Sequence, residues 1–92
     1  MKFMSVWSVR PGRMADVIAK FLSTGAPAPS GVKVIGRWHK ADLSGGFTLA
    51  EADDPKALYE NAAEWADLIE IHSSLVVEDA DAGAVLGKLF KK

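Results

Sequence analysis

Apolar and polar positions alternate along the first residues of this chain, then cycle, then alternate again, and each change of period marks an element. Lys2 to Val9 (KFMSVWSV) is short, aromatic and β-branched, and Pro11–Gly12 ends it, which predicts a strand. From Arg13 the spacing becomes helical: Met14, Val17, Ile18, Phe21 and Leu22 recur at i, i+3, i+4, i+7 and i+8. Gly25 supplies a stop, and the Pro-rich run Ala26 to Gly31 cannot continue a helix. Val32 to Ala41 alternates once more, with Val32, Val34, Gly36 and Trp38 expected on one side and Lys33, Ile35, Arg37 and His39 on the other. Asp42 to Gly46 (DLSGG) reads as a hairpin loop, its paired glycines permitting positive φ, and Phe47 to Ala52 as the returning strand.

Asp54 is placed to cap a second helix, with Pro55 at its first position, where a missing amide costs nothing. Leu58, Ala62, Trp65 and Ala66 form the expected buried stripe of that helix, and a fourth strand follows over Leu68 to Glu78. A terminal helix is expected from Ala80, with Val85, Leu86, Leu89 and Phe90 as its apolar side. Asp79 and Asp81 would sit at its positive end, and Lys88, Lys91 and Lys92 at its negative end. The order is β-α-β-β-α-β with an added helix. Right-handed crossovers turn that order into an α+β, ferredoxin-like fold, a four-stranded antiparallel sheet with both main helices on one face. No linker interrupts residues 1–92, so a single domain is expected.

That fold leaves one sheet face bare, and the central strands are apolar on both sides. Phe3, Trp7 and Val9 oppose Met4 and Val6 in the first strand; Phe47 and Leu49 oppose Ala50 and Ala52 in the third. A large apolar face is rarely left in water, so a second copy packing sheet to sheet is expected, giving a homodimer. The competing expectation is a monomer whose terminal helix folds across the bare face.

Composition narrows the function classes. A formal net charge of −1 without a clustered basic face excludes the electrostatic footprint of a nucleic-acid binder. With no cysteine there is no disulfide, thiolate metal site or thiol nucleophile. Neither a signal-peptide pattern nor a membrane-length apolar run is present, so no membrane partner is expected and cytoplasmic is the default location.

The residues able to carry chemistry are few. His39 and Arg37 share a side of the second strand, where a proton shuttle and an anion clamp are one reading and a wet, inert strand face is the other. His72 lies between Glu70 and Ser74, opposite Ile69, Ile71, Leu75 and Val77, and should face the second sheet or solvent. In a sheet-to-sheet dimer His72 would approach the partner's His39 at a cavity rim, or both would be plain interface polar groups. Glu51, in line with Phe47 and Leu49, is either a partly desolvated general base or a solvated residue before the Asp53–Asp54 cap. Trp7 and Trp38 would make aromatic walls for a flat ligand, or simply core; Trp38, of opposite parity to His39, is expected to pack under a helix. Two histidines without a third ligand at short spacing give no metal site, and no cofactor motif is present: Gly45–Gly46 precedes a strand, whereas a phosphate loop needs a helix.

Several runs together resemble one family. Lys2–Phe3–Met4 with Trp7–Ser8, Gly31–Val32–Lys33, Gly36–Arg37–Trp38–His39, Gly45–Gly46–Phe47, Glu51–Ala52–Asp53–Asp54 and Glu64–Trp65–Ala66–Asp67 are similar to DUF3303 over nearly the whole chain. That resemblance implies a small bacterial protein of the dimeric α/β-barrel superfamily, and it implies no activity. Relatives in that superfamily include cofactor-free monooxygenases, muconolactone isomerases, chlorite dismutases and stress-responsive barrels, and chemistry taken from them is analogy. Neither histidine is on a helix, which argues against a haem role. Three readings stand: a dimeric barrel binding a small apolar or aromatic molecule, a cofactor-free monooxygenase- or isomerase-like enzyme using Glu51 or His39, and an interaction or regulatory module without a ligand.

Overall fold

The computed structural model of the chain describes residues 1–90, so the expected place of Lys91 and Lys92 at the end of the last helix lies outside the described residues. β1 spans Lys2–Val9, α1 Met14–Thr24, β2 Val32–His39, β3 Gly45–Ala52, α2 Pro55–Trp65, β4 Ile69–Val76 and α3 Asp79–Phe90. The strands pair in the order β2-β3-β1-β4, and every pairing is antiparallel. This is the expected α+β, ferredoxin-like arrangement with an added C-terminal helix.

The local causes are those the residues suggest. Gly25 takes the left-handed conformation (φ 72°) and donates its N–H to the Phe21 carbonyl, closing α1. The Asp54 carboxylate accepts from the Lys56 N–H at 2.9 Å, and Pro55 opens α2 behind it. Glycine serves a different purpose in the β2–β3 hairpin than its pairing suggested. The left-handed residue of that turn is Leu43 (φ 69°), and Asp42 holds the loop by accepting from the Ser44 N–H and hydroxyl. Gly45 and Gly46 already belong to β3, where close approach demands them: a Cβ on Gly45 would strike the Trp7 carbonyl, and one on Gly46 the Trp7 ring.

Cross-strand register fixes the two faces, because paired residues point the same way. The helix face carries Phe3, Ser5, Trp7 and Val9 of β1, with Ala50, Thr48 and Gly46 of β3 and Leu75, Ser73, Ile71 and Ile69 of β4 beside them. The other face carries Met4, Val6, Phe47, Leu49, Glu51, His72 and Ser74.

β2 departs from simple alternation. Val34 pairs with Ala50 and Gly36 with Leu49, so Ile35 is an extra residue in a β-bulge. Beyond it the parity inverts: Val32 and Val34 share the helix face with Arg37 and His39, while Trp38 pairs with Phe47 on the bare face. Trp38 therefore does not pack under a helix; it is 56% exposed, its ring lying over Gly36.

The buried core is small and sits under α2. Phe3, Ala50, Ala52, Ala57, Trp65, Leu68 and Ile69 are buried, and Trp65, Leu68 and Ile69 cluster with Trp7, Val17, Ala26 and Ile71. Neither α1 nor α3 buries a residue. Val85, Leu86, Leu89 and Phe90 of α3 are exposed, and α3 leaves Val6, Ile35, Trp38 and Phe47 of the bare face exposed as well. The terminal helix is not the cover that a monomer would need. With α3 projecting, the chain measures 55 × 29 × 18 Å and its radius of gyration is 15.8 Å, against roughly 12 Å for a compact chain of this length.

Candidate functional site

The apolar stripe of α1 lines a half-open cavity, with Leu22 at its end 76% exposed. Met14, Val17, Ile18, Phe21 and Leu22 face the sheet across a space of about 270 Å³. The floor is Ser5, Trp7, Val34, Arg37, His39 and Thr48; Leu58 and Trp65 of α2 and Pro29 of the connecting loop complete the wall. Lys20 straps the two helices together at one side, its ammonium donating to the Glu64 carbonyl at 2.8 Å and lying 4.5 Å from the Trp65 ring centre.

Three aromatic rings meet at one end of the space. The Trp7 ring lies over Gly46, which has no side chain to obstruct it. His39 meets Trp7 edge-on at 5.5 Å between ring centres and Phe21 of α1 at 5.3 Å. Beside them one polar row crosses an otherwise apolar floor. Register aligns Arg37 with Thr48, Thr48 with Ser5, and Ser5 with Ser73. At the far end of that row the Ser5 and Ser73 hydroxyls share a hydrogen bond of 2.7 Å, and Ser5 is buried.

The six residues singled out from the sequence divide between the faces. Trp7, Arg37 and His39 line the cavity. Trp38, Glu51 and His72 lie on the bare face. Glu51 stands across from Lys2 and Lys33, beside Asp53 in a shallow recess at the sheet end. His72 is exposed and its Nε2 is 2.9 Å from the Glu70 carboxylate, a hydrogen bond that holds Glu70 below the usual carboxylate range. The bulge thus undoes the expected meeting of His39 with His72 at one rim, because the sheet lies between them. It separates Glu51 from His39 in the same way, so a molecule in this cavity meets His39 and not Glu51. Among the described residues no group of three or more His, Asp and Glu comes together to hold a metal ion.

Sequence reasoning passed over the polar row. The signal was present in Ser5 and Thr48, each a polar residue on an apolar strand face, but only the pairing register aligns them with Arg37.

Among described residues no helix is long and apolar enough to cross a membrane. No curated protein matches the chain. Among solved structures, the crystal structure of PA3566 from Pseudomonas aeruginosa is similar at 12% identity and a TM-score of 0.45, covering 84% of this chain and 93% of that one. The family model of DUF3303, a domain of unknown function, matches residues 1–90, and the chain belongs to that family.

Proposed function

We propose that this protein binds a small, flat, apolar molecule between its sheet and helices, and that it does so as a homodimer closed on the bare sheet faces. The observation that carries the binding reading is the cavity itself. An apolar space of about 270 Å³ is close to the ~300 Å³ at which ligand pockets begin. Its aromatic end, built from Trp7, Phe21 and His39, matches a planar guest. A chain adapted only for packing would let α1 settle onto the floor, because dispersion contacts are lost wherever a wall has no partner.

The three indole N–H groups test this directly. Trp7 and Trp65 line the cavity while Trp38 is on the opposite face. Titrating an uncharged flat probe such as 2-naphthamide should move the Trp7 and Trp65 indole signals saturably in a ¹H–¹⁵N spectrum and leave Trp38 in place. Shifts confined to Trp38, or none that saturate, would refute the cavity as the site.

A further inference from the structure

We infer that the molecule held in the cavity is a small aromatic carboxylate, with its ring against Trp7 and Phe21 and its head group on Arg37 and Thr48. The assignment rests on the cavity being the binding site and goes further by naming the charge of the guest.

The charge distribution of the lining points one way. Arg37 and Lys40 are its only formally charged residues, and no carboxylate lines it among the described residues. An empty apolar pocket has no need of a guanidinium, whose desolvation is costly unless a partner compensates it. Arg37 is half-buried on the floor, and among the described residues it makes no ion pair or side-chain hydrogen bond. The ammonium of Lys40 is 5.6 Å from the Phe47 ring centre, a residue of the opposite face, which leaves Arg37 as the cation of the cavity floor.

The polar row then fixes where a head group sits. Its Ser5–Ser73 end is satisfied internally by the 2.7 Å hydroxyl contact. Its Arg37–Thr48 end offers a guanidinium fork and a hydroxyl at directly paired positions, whose Cβ atoms stand about 5 Å apart. A carboxylate can accept two parallel N–H bonds from such a fork and a third from the hydroxyl, a geometry a point cation would not enforce. Next along the same face is the His39–Gly46–Trp7 row. Successive rows on one face are about 7 Å apart, so a ring attached to the head group reaches the Trp7, His39 and Phe21 rings.

The test compares 2-naphthoate with 2-naphthamide at neutral pH, where the acid is ionised, by calorimetry and by the indole signals. The carboxylate should bind at least about ten-fold tighter than the amide, the size expected of one charge-assisted contact. Arg37→Gln should abolish that preference by weakening the acid far more than the amide, with saturable movement of the Trp7 and Trp65 indole signals reporting that the variant is folded. Thr48→Val, which keeps the branched shape, should shrink the preference without abolishing it and serves if Arg37→Gln does not fold. Equal affinities for acid and amide overturn the head-group assignment and leave the cavity reading standing. A preference that survives in Arg37→Gln overturns it as well. If neither probe binds, the cavity reading falls and this assignment with it.

Discussion

Trp65 joins the two halves of this small protein's chemistry, packing in the buried cluster with Leu68 and Ile69 while also lining the cavity. Its position at the end of α2 sets it beneath the Lys20 strap, so it also anchors α1 at its distance from the sheet. Truncating a buried tryptophan costs roughly 3–5 kcal/mol, a large share of the ~5–15 kcal/mol that holds a typical domain together. Trp65→Ala should therefore lower the urea midpoint sharply, and Trp65→Phe should lower it less. An unchanged midpoint in Trp65→Ala would show that the cluster does not support the fold. The other two tryptophans lie over glycines on opposite faces, Trp7 over Gly46 and Trp38 over Gly36. That Trp38 turns away from the helices could not be read from parity, because the residue that decides it, Ile35, carries no chemical mark of a bulge. Gly36 beside it is the nearest signal, since glycine within a strand often accompanies such a break.

At the level of elements, the strands and helices were legible because apolar spacing switches cleanly between two and about 3.6 residues. The caps at Gly25 and Asp54 were legible from residue type, a glycine for a left-handed stop and an aspartate ahead of Pro55. What local pattern could not reveal was how far an apolar stripe presses home: the α1 stripe has helical spacing whether it seals a core or walls a cavity. The β2–β3 hairpin shows a second limit, since the glycines attributed to its turn are required by β3 packing and Asp42 does the turning. The Asp42 carboxylate accepts from the Ser44 hydroxyl at 2.6 Å and from the Ser44 N–H at 3.0 Å. Those bonds favour its ionised form and hold it below the usual aspartate range, the hydroxyl contributing most. With a folded value below the unfolded one, the support Asp42 gives the hairpin is fully present above the ordinary aspartate pKa. It is lost as pH falls through the lowered value. Carboxyl NMR should find Asp42 titrating below a peptide aspartate, and Ser44→Ala should move that midpoint upward. A midpoint indifferent to Ser44→Ala would mean that the turn is held by backbone alone.

For the molecule as a whole the bare face poses the largest energetic question. Phe47, Ile35, Val6 and Trp38 are exposed on it at 39%, 45%, 38% and 56%, with Met4 and Leu49 between them. Four eight-residue strands cover roughly 26 by 19 Å at ~3.3 Å per residue and ~4.8 Å per strand, a flat footprint of about 500 Å². Side-chain relief enlarges that area, and a stable interface of ~800 Å² per partner would take up the whole face. In the proposed homodimer a two-fold pairing would set this apolar sheet against its equal. Its rim is compatible: Glu51 stands between Lys2 and Lys33 at one end of the face, and Glu70 pairs with His72 toward the other. Sedimentation equilibrium at micromolar concentration should accordingly return about twice the 9.9 kDa chain mass. Trp38→Glu should return the single mass, because a charge set into an apolar interface is buried without a counter-ion. Its far-UV circular dichroism should not change, since Trp38 lies on the surface of the single chain and supports none of its core. A wild-type chain that sediments as a monomer under these conditions removes the paired-sheet reading. It would leave the apolar face and the projecting helix to be covered by a different partner, while the cavity on the other side of the sheet, built within one chain, would stand unaffected.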